Sequence, residues 1–270
     1  MPEPAETPRA ARQVALVTGA SSGIGAELAR VLARHGHDLA LVGRRAERLE
    51  ALADDIATGG RPRPIVIALD LSSPGACAQL SQALARENAT PAILVNNAGF
   101  GLVGEARTLD SAEQLQMIDL NVRILSELTF GCLPALVAAR GRILNVASVA
   151  GFLPGPGMAV YYATKAFVVS FSEALYAELA ASGVTVSVLC PGVTRTGFQA
   201  RAGFAEASLD AIPGMSARAV AEAGYAGMMA GRRRIVPGLS NKMMLAILNL
   251  VPNAWLLPVV ARLQARRRGA

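Results

Sequence analysis

The stretch Val14-Ala15-Leu16-Val17-Thr18-Gly19-Ala20-Ser21-Ser22-Gly23-Ile24-Gly25 decides the fold. It opens on an apolar run ending in Thr18 and closes on glycines spaced G-x-x-x-G-x-G. An apolar run without polar alternation predicts a strand buried on both faces, as in a parallel sheet covered by helices. Glycine permits a tight turn and lets backbone amides come close to a pyrophosphate. The amphipathic stretch 24–35 predicts a helix whose free N–H groups and positive dipole end would meet that anion. A glycine cluster alone is equally a flexible turn; its place between strand and helix is what points to a phosphate.

Outward from this unit the pattern repeats. Apolar runs at 39–43, 65–69, 92–96, 142–147, 184–189 and 234–236 predict further strands. Helical patterns cover a stretch reaching Ala57, then 76–87, 111–139 and 160–181. Alternating strands and helices with right-handed crossovers predict an α/β fold, a doubly wound parallel sheet of about seven strands with helices on both faces. Residues 12–239 are expected as one domain, after a disordered tail at 1–11 and before an extension at 240–270. The connection 192–214 is long for this fold and is expected to act as a lid.

The end of the second strand bears on the nucleotide. A fold that takes NAD(H) places an acid there, on the ribose 2′-hydroxyl. This chain has Gly43 followed by Arg44 and Arg45, which favours the 2′-phosphate of NADP(H) over NAD(H), with Arg44 as the better candidate. The bland reading is that both arginines begin a solvated helix.

Tyr161 and Lys165 stand four apart and share one face of a helix. A phenol titrating near pKa ~10 is a poor acid or base at neutral pH. An ammonium beside it stabilises the phenolate and lets the pair move a proton. Lys165 and Lys242 are the only lysines in an arginine-rich chain, so the ammonium at this place is informative. Alone, such a pair is a surface pair on an amphipathic helix. Its company is Ser148 just past the fifth strand, Asn96-Asn97-Ala98-Gly99 at the end of the fourth, and Asn121 in the following helix.

As a set, these motifs resemble the short-chain dehydrogenase/reductase family in its single-domain form, with a Rossmann-type sheet. The likeness rests on the turn 18–25, Asp70, the run 96–99, Asn121, Ser148, Tyr161, Lys165 and Pro191-Gly192, in the family's order over residues 13–237. The resemblance implies Tyr161 as general acid in reduction and base in oxidation, with Ser148 on the substrate oxygen. Lys165 would lower the Tyr161 pKa and hold the nicotinamide ribose, and Asn121 would anchor a water linking Lys165 to solvent. It also implies nucleotide contacts from Gly19, Ser21, Ser22, Gly23, Ile24 and Gly25, and from Arg44 and Arg45. Asp70 and Leu71 would lie near the adenine, and Asn97, Ala98 and Gly99 near its ribose. Pro191, Gly192, Val193 and Thr196 would flank the nicotinamide side. Thr194 departs from the family pattern, which has an apolar residue there.

Composition sets limits. Of 270 residues, 52% are hydrophobic and 17% charged, enough for a buried core. The net charge of +6 comes without a nucleic-acid motif and with only 4% aromatic residues, which argues against nucleic acid as a partner. Cys77, Cys132 and Cys190 have neither disulfide nor metal spacing, and His35 and His37 flank a turn, so no metal is expected. The tail has no secretory core and nothing before residue 240 reads as a membrane span, so the cytoplasm is expected.

The reaction pocket is expected to be walled by Phe100, Leu102, Val103, Phe152, Leu153, Phe198 and Phe204, which suits a small apolar carbonyl or alcohol. The apolar stretch 240–265 is broken by Pro252 and Pro258 and reads as two short helices. It packs on the domain, closes a dimer, or lies in a membrane interface with its arginines toward headgroups. Relatives of the family associate as dimers or tetramers, often through the two long helices. The competing reading is a catalytically silent NADP(H)-binding sensor, which should lack one of the four reacting residues. An epimerase acting on nucleotide sugars would need a G-x-x-G-x-x-G turn and a larger C-terminal domain.

Overall fold

The computed structural model describes residues 11–204, 214–248, 251 and 253–267. The expected disorder of the tail, the lid segment 205–213 and the break around Pro252 lie outside these residues. The first half alternates β1 (Arg12–Thr18), α1 (Gly23–Arg34), β2 (Leu39–Gly43), α2 (Ala46–Thr58), β3 (Ile65–Ala68), α3 (Ala76–Arg86) and β4 (Ala89–Asn96). The second half has α4 (Ser111–Ile118), α5 (Leu125–Ala138), β5 (Arg142–Val146), α6 (Ala159–Glu178) and β6 (Thr185–Leu189). After these come β7 (Thr194–Arg195), α7 (Phe198–Ala202), β8 (Met215–Ser216), α8 (Ala217–Met229) and β9 (Arg234–Ile235). Two helices close the chain, α9 (Leu239–Leu248) and α10 (Asn253–Arg267).

Seven strands form one parallel sheet in the order β3-β2-β1-β4-β5-β6-β9. The chain leaves β1 toward β2 and β3 on one side, then returns to place β4 on the other. Connections from β1 and β4 therefore diverge, leaving a crevice beyond their carboxyl ends. On one face Leu28, Leu32, Val220 and Met228 from α1 and α8 pack against Val17, Leu41 and Val95. On the other, Leu80, Leu128, Leu136 and Leu175 cover Leu16, Val42 and Ile143. Each fully buried side chain of this kind stabilises the fold by about 1.5–3 kcal/mol, so both faces hold the sheet's strand ends rigidly.

Two features depart from the expected pattern. The helix expected over 111–139 is interrupted by a π-helical segment, Asp119–Ile124, between α4 and α5. That segment holds Asn121, whose amide donates to the Phe100 carbonyl at 2.9 Å and whose Oδ1 accepts from the Phe100 amide at 3.1 Å. The local widening sits where the helix is tied to the end of β4, a common place for a π-bulge at a site. The segment expected as a lid is not a bare loop: it carries β7 and α7, and β7 pairs with β8 just beyond its end.

The stretch Ser111–Ala138 is long and apolar enough to cross a membrane by length and composition alone, contrary to the expectation that nothing before residue 240 would qualify. Here it is a layer of the domain, burying Met117, Ile124, Leu128 and Leu136.

Candidate active site

The phosphate turn is built from backbone. Gly19 and Gly23 have φ of +64° and +58°, a region that side chains with a Cβ rarely adopt. A Cβ on Gly19 would stand 2.8 Å from Asn97 Nδ2, and one on Gly25 would be 2.5 Å from the Gly19 carbonyl oxygen and would also meet Asn97. Asn97 closes this corner, its amide donating to the carbonyls of Thr18 and Gly19 at 2.9 and 3.2 Å. The Thr18 hydroxyl ties the ends of β1 and β4 together, accepting from the amides of Asn97 and Ala98 at 3.0 and 3.1 Å.

Ser22 precedes α1 as its N-cap, but its side chain does not cap the helix. Its hydroxyl instead accepts from Arg45 Nη2 at 2.7 Å, and the same nitrogen reaches Ser21 Oγ at 2.9 Å. The first-turn amides of α1 are thus left for an anion, with a guanidinium beside them.

Arg44 points the other way, with Nη1 at 3.8 Å from Asp70 Oδ2, and both side chains are largely open to solvent. Asp70 also accepts from the Ser72 amide at 2.9 Å, and Leu71 is buried beside it. Thr196 stands over the turn: a Cβ on Gly23 would lie 3.2 Å from its methyl group. Thr194, the departure from the family pattern, is absorbed locally, its hydroxyl donating to the Gly192 carbonyl at 3.1 Å.

At the carboxyl ends of β5 and β6 the four reacting residues meet. The 3₁₀ turn Val149–Phe152 is capped by Ser148, whose Oγ accepts from the Ala150 amide at 3.1 Å. Tyr161, in the first turn of α6, stands near the Ser148 hydroxyl, which itself donates to the Pro191 carbonyl at 3.4 Å. Burial pushes the Tyr161 phenol well above the ordinary tyrosine range, and the nearby Ser148 hydroxyl pulls the other way. Lys165 Nζ donates to the Val146 carbonyl at 2.9 Å and lies 5.8 Å from the Tyr161 ring centroid. Burial brings this ammonium down to about 8, which makes it a proton donor or acceptor near neutral pH. Gly99 makes the neighbourhood possible, since a Cβ there would sit 2.7 Å from Asn121 Oδ1 and 3.7 Å from Lys165 Nζ. The expectation that Lys165 depresses the Tyr161 pKa is not what this arrangement does by itself: desolvation dominates at the phenol, and Lys165 is bonded to a strand carbonyl. Asn121 is committed to Phe100 and Thr164 through its side chain, so an expected bridging water would have to bind elsewhere on this residue.

One cavity of about 1000 Å³ runs from the phosphate turn past Ser148, Tyr161 and Lys165 to the C-terminal helices. It brings together every expected site residue except Gly25, which sits behind the turn, and Asn121, which sits behind Gly99. Of the seven expected apolar walls, Leu153, Phe198 and Phe204 line it. Phe100, Leu102 and Val103 instead pack in a cluster with Met117 and Met158 behind Tyr161, and Phe152 packs with Val168 and Val188. Their apolar character belongs to the core beneath the site.

Several lining residues were not anticipated. Arg48, Arg195 and Arg201 add cations to Arg44 and Arg45. Arg201 stacks over the Phe100 ring at 4.7 Å, and its pKa is lowered by burial and then by Arg44 and Arg45. Arg48 lies in the first turn of α2, shortly after Arg44 and Arg45, and could have been found from that position. Arg195 and Arg201 come from a distant segment with no local signal. Met244, Leu248, Leu256 and Val260 from α9 and α10 close the far end, so the extension does pack on the domain.

A family model for short chain dehydrogenase matches residues 13–206. The chain belongs to the short-chain dehydrogenase family. It is an oxidoreductase of the CH–OH/C=O couple. The chain is 38% identical over 203 residues to sulfoacetaldehyde reductase 2 of Chromohalobacter salexigens, covering 74% of this chain and 80% of that one. It superposes on a short-chain dehydrogenase from Sphingobium yanoikuyae in complex with NADPH, with a TM-score of 0.78 and 37% identity, covering 84% and 88% of the two chains. The bulky-bulky ketone specific alcohol dehydrogenase from Comamonas testosteroni is similar at a TM-score of 0.74 and 30% identity, covering 90% and 94%. The family match ends at residue 206, so α9 and α10 lie beyond it.

Proposed function

We propose that this chain reduces apolar ketones or aldehydes, or oxidises the corresponding secondary alcohols, with NADP(H) rather than NAD(H). The observation that carries this reading is the convergence of Ser148, Tyr161 and, one helical turn from it, Lys165 on one cavity whose other end is the phosphate turn. The cavity fits a dinucleotide: free α1 amides and a glycine cradle meet a pyrophosphate, and Arg44 suits a 2′-phosphate while Arg45 braces the serines of the turn. The NADPH bound to the Sphingobium relative supports the same choice. NADP(H), when bound, supplies or accepts the hydride.

The chain's own residues then divide the remaining work. Tyr161, held neutral by burial, donates its proton to the substrate oxygen in reduction. The Ser148 hydroxyl steadies charge developing on that oxygen and orients the phenol. Lys165 holds the nicotinamide ribose and, with its lowered pKa, returns a proton to the phenol. Asn121 acts from behind by fixing the Phe100 backbone next to Gly99. Leu153, Phe198 and Phe204 exclude water and favour an apolar substrate over a sugar or an acid. A silent sensor is the weaker reading, because all four reacting residues converge. Association through α4, α5 and α6 is supported by Leu115, Phe130 and Phe167, which these helices leave exposed.

The test is NADPH oxidation with a panel of apolar and polar carbonyls, using the parent and Tyr161→Phe. Turnover by the variant should fall about 10³-fold, while NADPH affinity by fluorescence titration stays unchanged. A variant that keeps its turnover would overturn the role given to the phenol.

A further inference from the structure

Charge is divided unevenly along this chain. Residues 1–222 contain 18 Lys and Arg against 20 Asp and Glu, and residues 223–270 contain 8 against none, so −2 and +8 make the net +6. The basic part includes α9 and α10, and each of these helices has two apolar faces. On α9, Asn241, Met244 and Leu248 line the cavity and Leu245 is buried. The opposite stripe at i, i+4 and i+8, Leu239, Met243 and Ile247, is 72%, 58% and 59% exposed. On α10, Leu256 and Val260 line the cavity while Trp255 is 72% exposed. Met244 and Val259 belong to both surfaces, lining the cavity while substantially exposed. Lys242 and Arg262 stand exposed on the same two helices.

A helix apolar on its outer face as well as its inner one calls for something to cover it. A second copy is a poor cover, because a two-fold interface sets like against like and would bring Lys242 and Arg262 of one copy against the same cations of the other. An anionic bilayer complements both the cations and the apolar stripe. At ten residues α9 is about half the length needed to span a bilayer, so it would lie in the interface plane.

We propose that α9 and α10 seat this protein on an anionic membrane surface, with Leu239, Met243, Ile247 and Trp255 immersed, and that a lipophilic carbonyl substrate enters the cavity from the bilayer past Met244 and Val259. The delivery half of this inference rests on the reductase reading above; the seating half does not.

Trp255 is the only tryptophan, so its emission reports the seating directly. With vesicles of phosphatidylcholine and phosphatidylglycerol, emission of the full chain should shift to the blue and be quenched by brominated lipid. Pure phosphatidylcholine should give a much weaker response. Met243→Glu/Ile247→Glu should abolish the response while keeping NADPH affinity, which shows that the variant is folded. Lys242→Gln/Arg262→Gln should weaken partition into anionic vesicles roughly 30-fold, from about fivefold per cation. Emission indifferent to vesicles overturns the seating, as does a glutamate variant that changes only the sedimentation coefficient, which would assign the stripe to a second copy. Delivery is read from KM: the glutamate variant should raise it for a vesicle-borne long-chain ketone and leave it unchanged for a short soluble one. Equal KM changes for the two overturn delivery. A chain that seats on vesicles but turns over no carbonyl would count against the reductase reading, not against the seating.

Discussion

The two ends of the cavity are made of different material. The nucleotide end is backbone: Gly19 and Gly25 bring main chain so close to Asn97 and to Gly19 itself that there is no room for a methyl group, and Gly23 holds a positive φ under Thr196. The far end is side chain: Leu153, Phe204, Leu248 and Leu256 reach it from separate stretches of the sequence. A backbone cradle has one geometry and little tolerance, whereas an apolar wall can lose a few carbons and still close. Affinity for the cofactor is therefore expected to be brittle to substitution, and affinity for the substrate graded.

Gly25→Ala should show the brittle side most strongly. Its Cβ would run into the Gly19 carbonyl and the Asn97 amide, both held by hydrogen bonds between β1 and β4. Relief requires the turn to move, at about 3 kcal/mol. NADPH affinity measured by fluorescence titration should fall about 100-fold, with a lowered Tm. Parent-like affinity would break the claim that backbone approach defines this end.

Arg44→Asp and Arg45→Ala separate charge from scaffold within the same end. Among the described residues the one ion pair of Arg44 is with Asp70, so reversing its charge should chiefly remove recognition of the 2′-phosphate. A hydrogen bond to a charged group contributes about 1.5–3 kcal/mol, so the KM for NADPH should rise about 30-fold while that for NADH holds or improves. Arg45 braces Ser21 and Ser22, so Arg45→Ala should weaken both coenzymes alike. Coenzyme ratios measured at fixed substrate check both outcomes; a ratio shifted by Arg45→Ala alone would exchange the two roles.

The same contrast explains what could be read from the sequence. The sheet and its helices were legible because buried parallel strands are uninterrupted apolar runs, and the strand at Leu39–Gly43 was placed to the residue. The nucleotide end was legible because a backbone cradle demands glycine at fixed spacing. Tyr161, Lys165 and Ser148 were legible from spacing and from their position at strand ends. The π-helical segment at Asn121 was not, because it arises from a bond to Phe100, far away in sequence. Nor was it legible which apolar residues face the cavity: Phe100 and Phe198 look alike in sequence, and only packing puts one in the core and the other in the wall. The contribution of α9 and α10 was hidden for the same reason, since an apolar helix does not announce which of its faces is covered.

The smallest effect expected is at that wall. Leu256 is partly exposed at the rim of the cavity, so Leu256→Ala removes contact without opening a sealed void in the core. The loss should be about 1 kcal/mol, read as a fivefold drop in kcat/KM for a bulky apolar ketone. A short aldehyde that does not reach α10 should be turned over as before, and NADPH affinity should not move. Equal losses for the two substrates would mean that α10 only packs against the domain. A change in NADPH affinity would mean that the two ends of the cavity are one mechanical unit, and that the backbone cradle feels strain from the apolar wall.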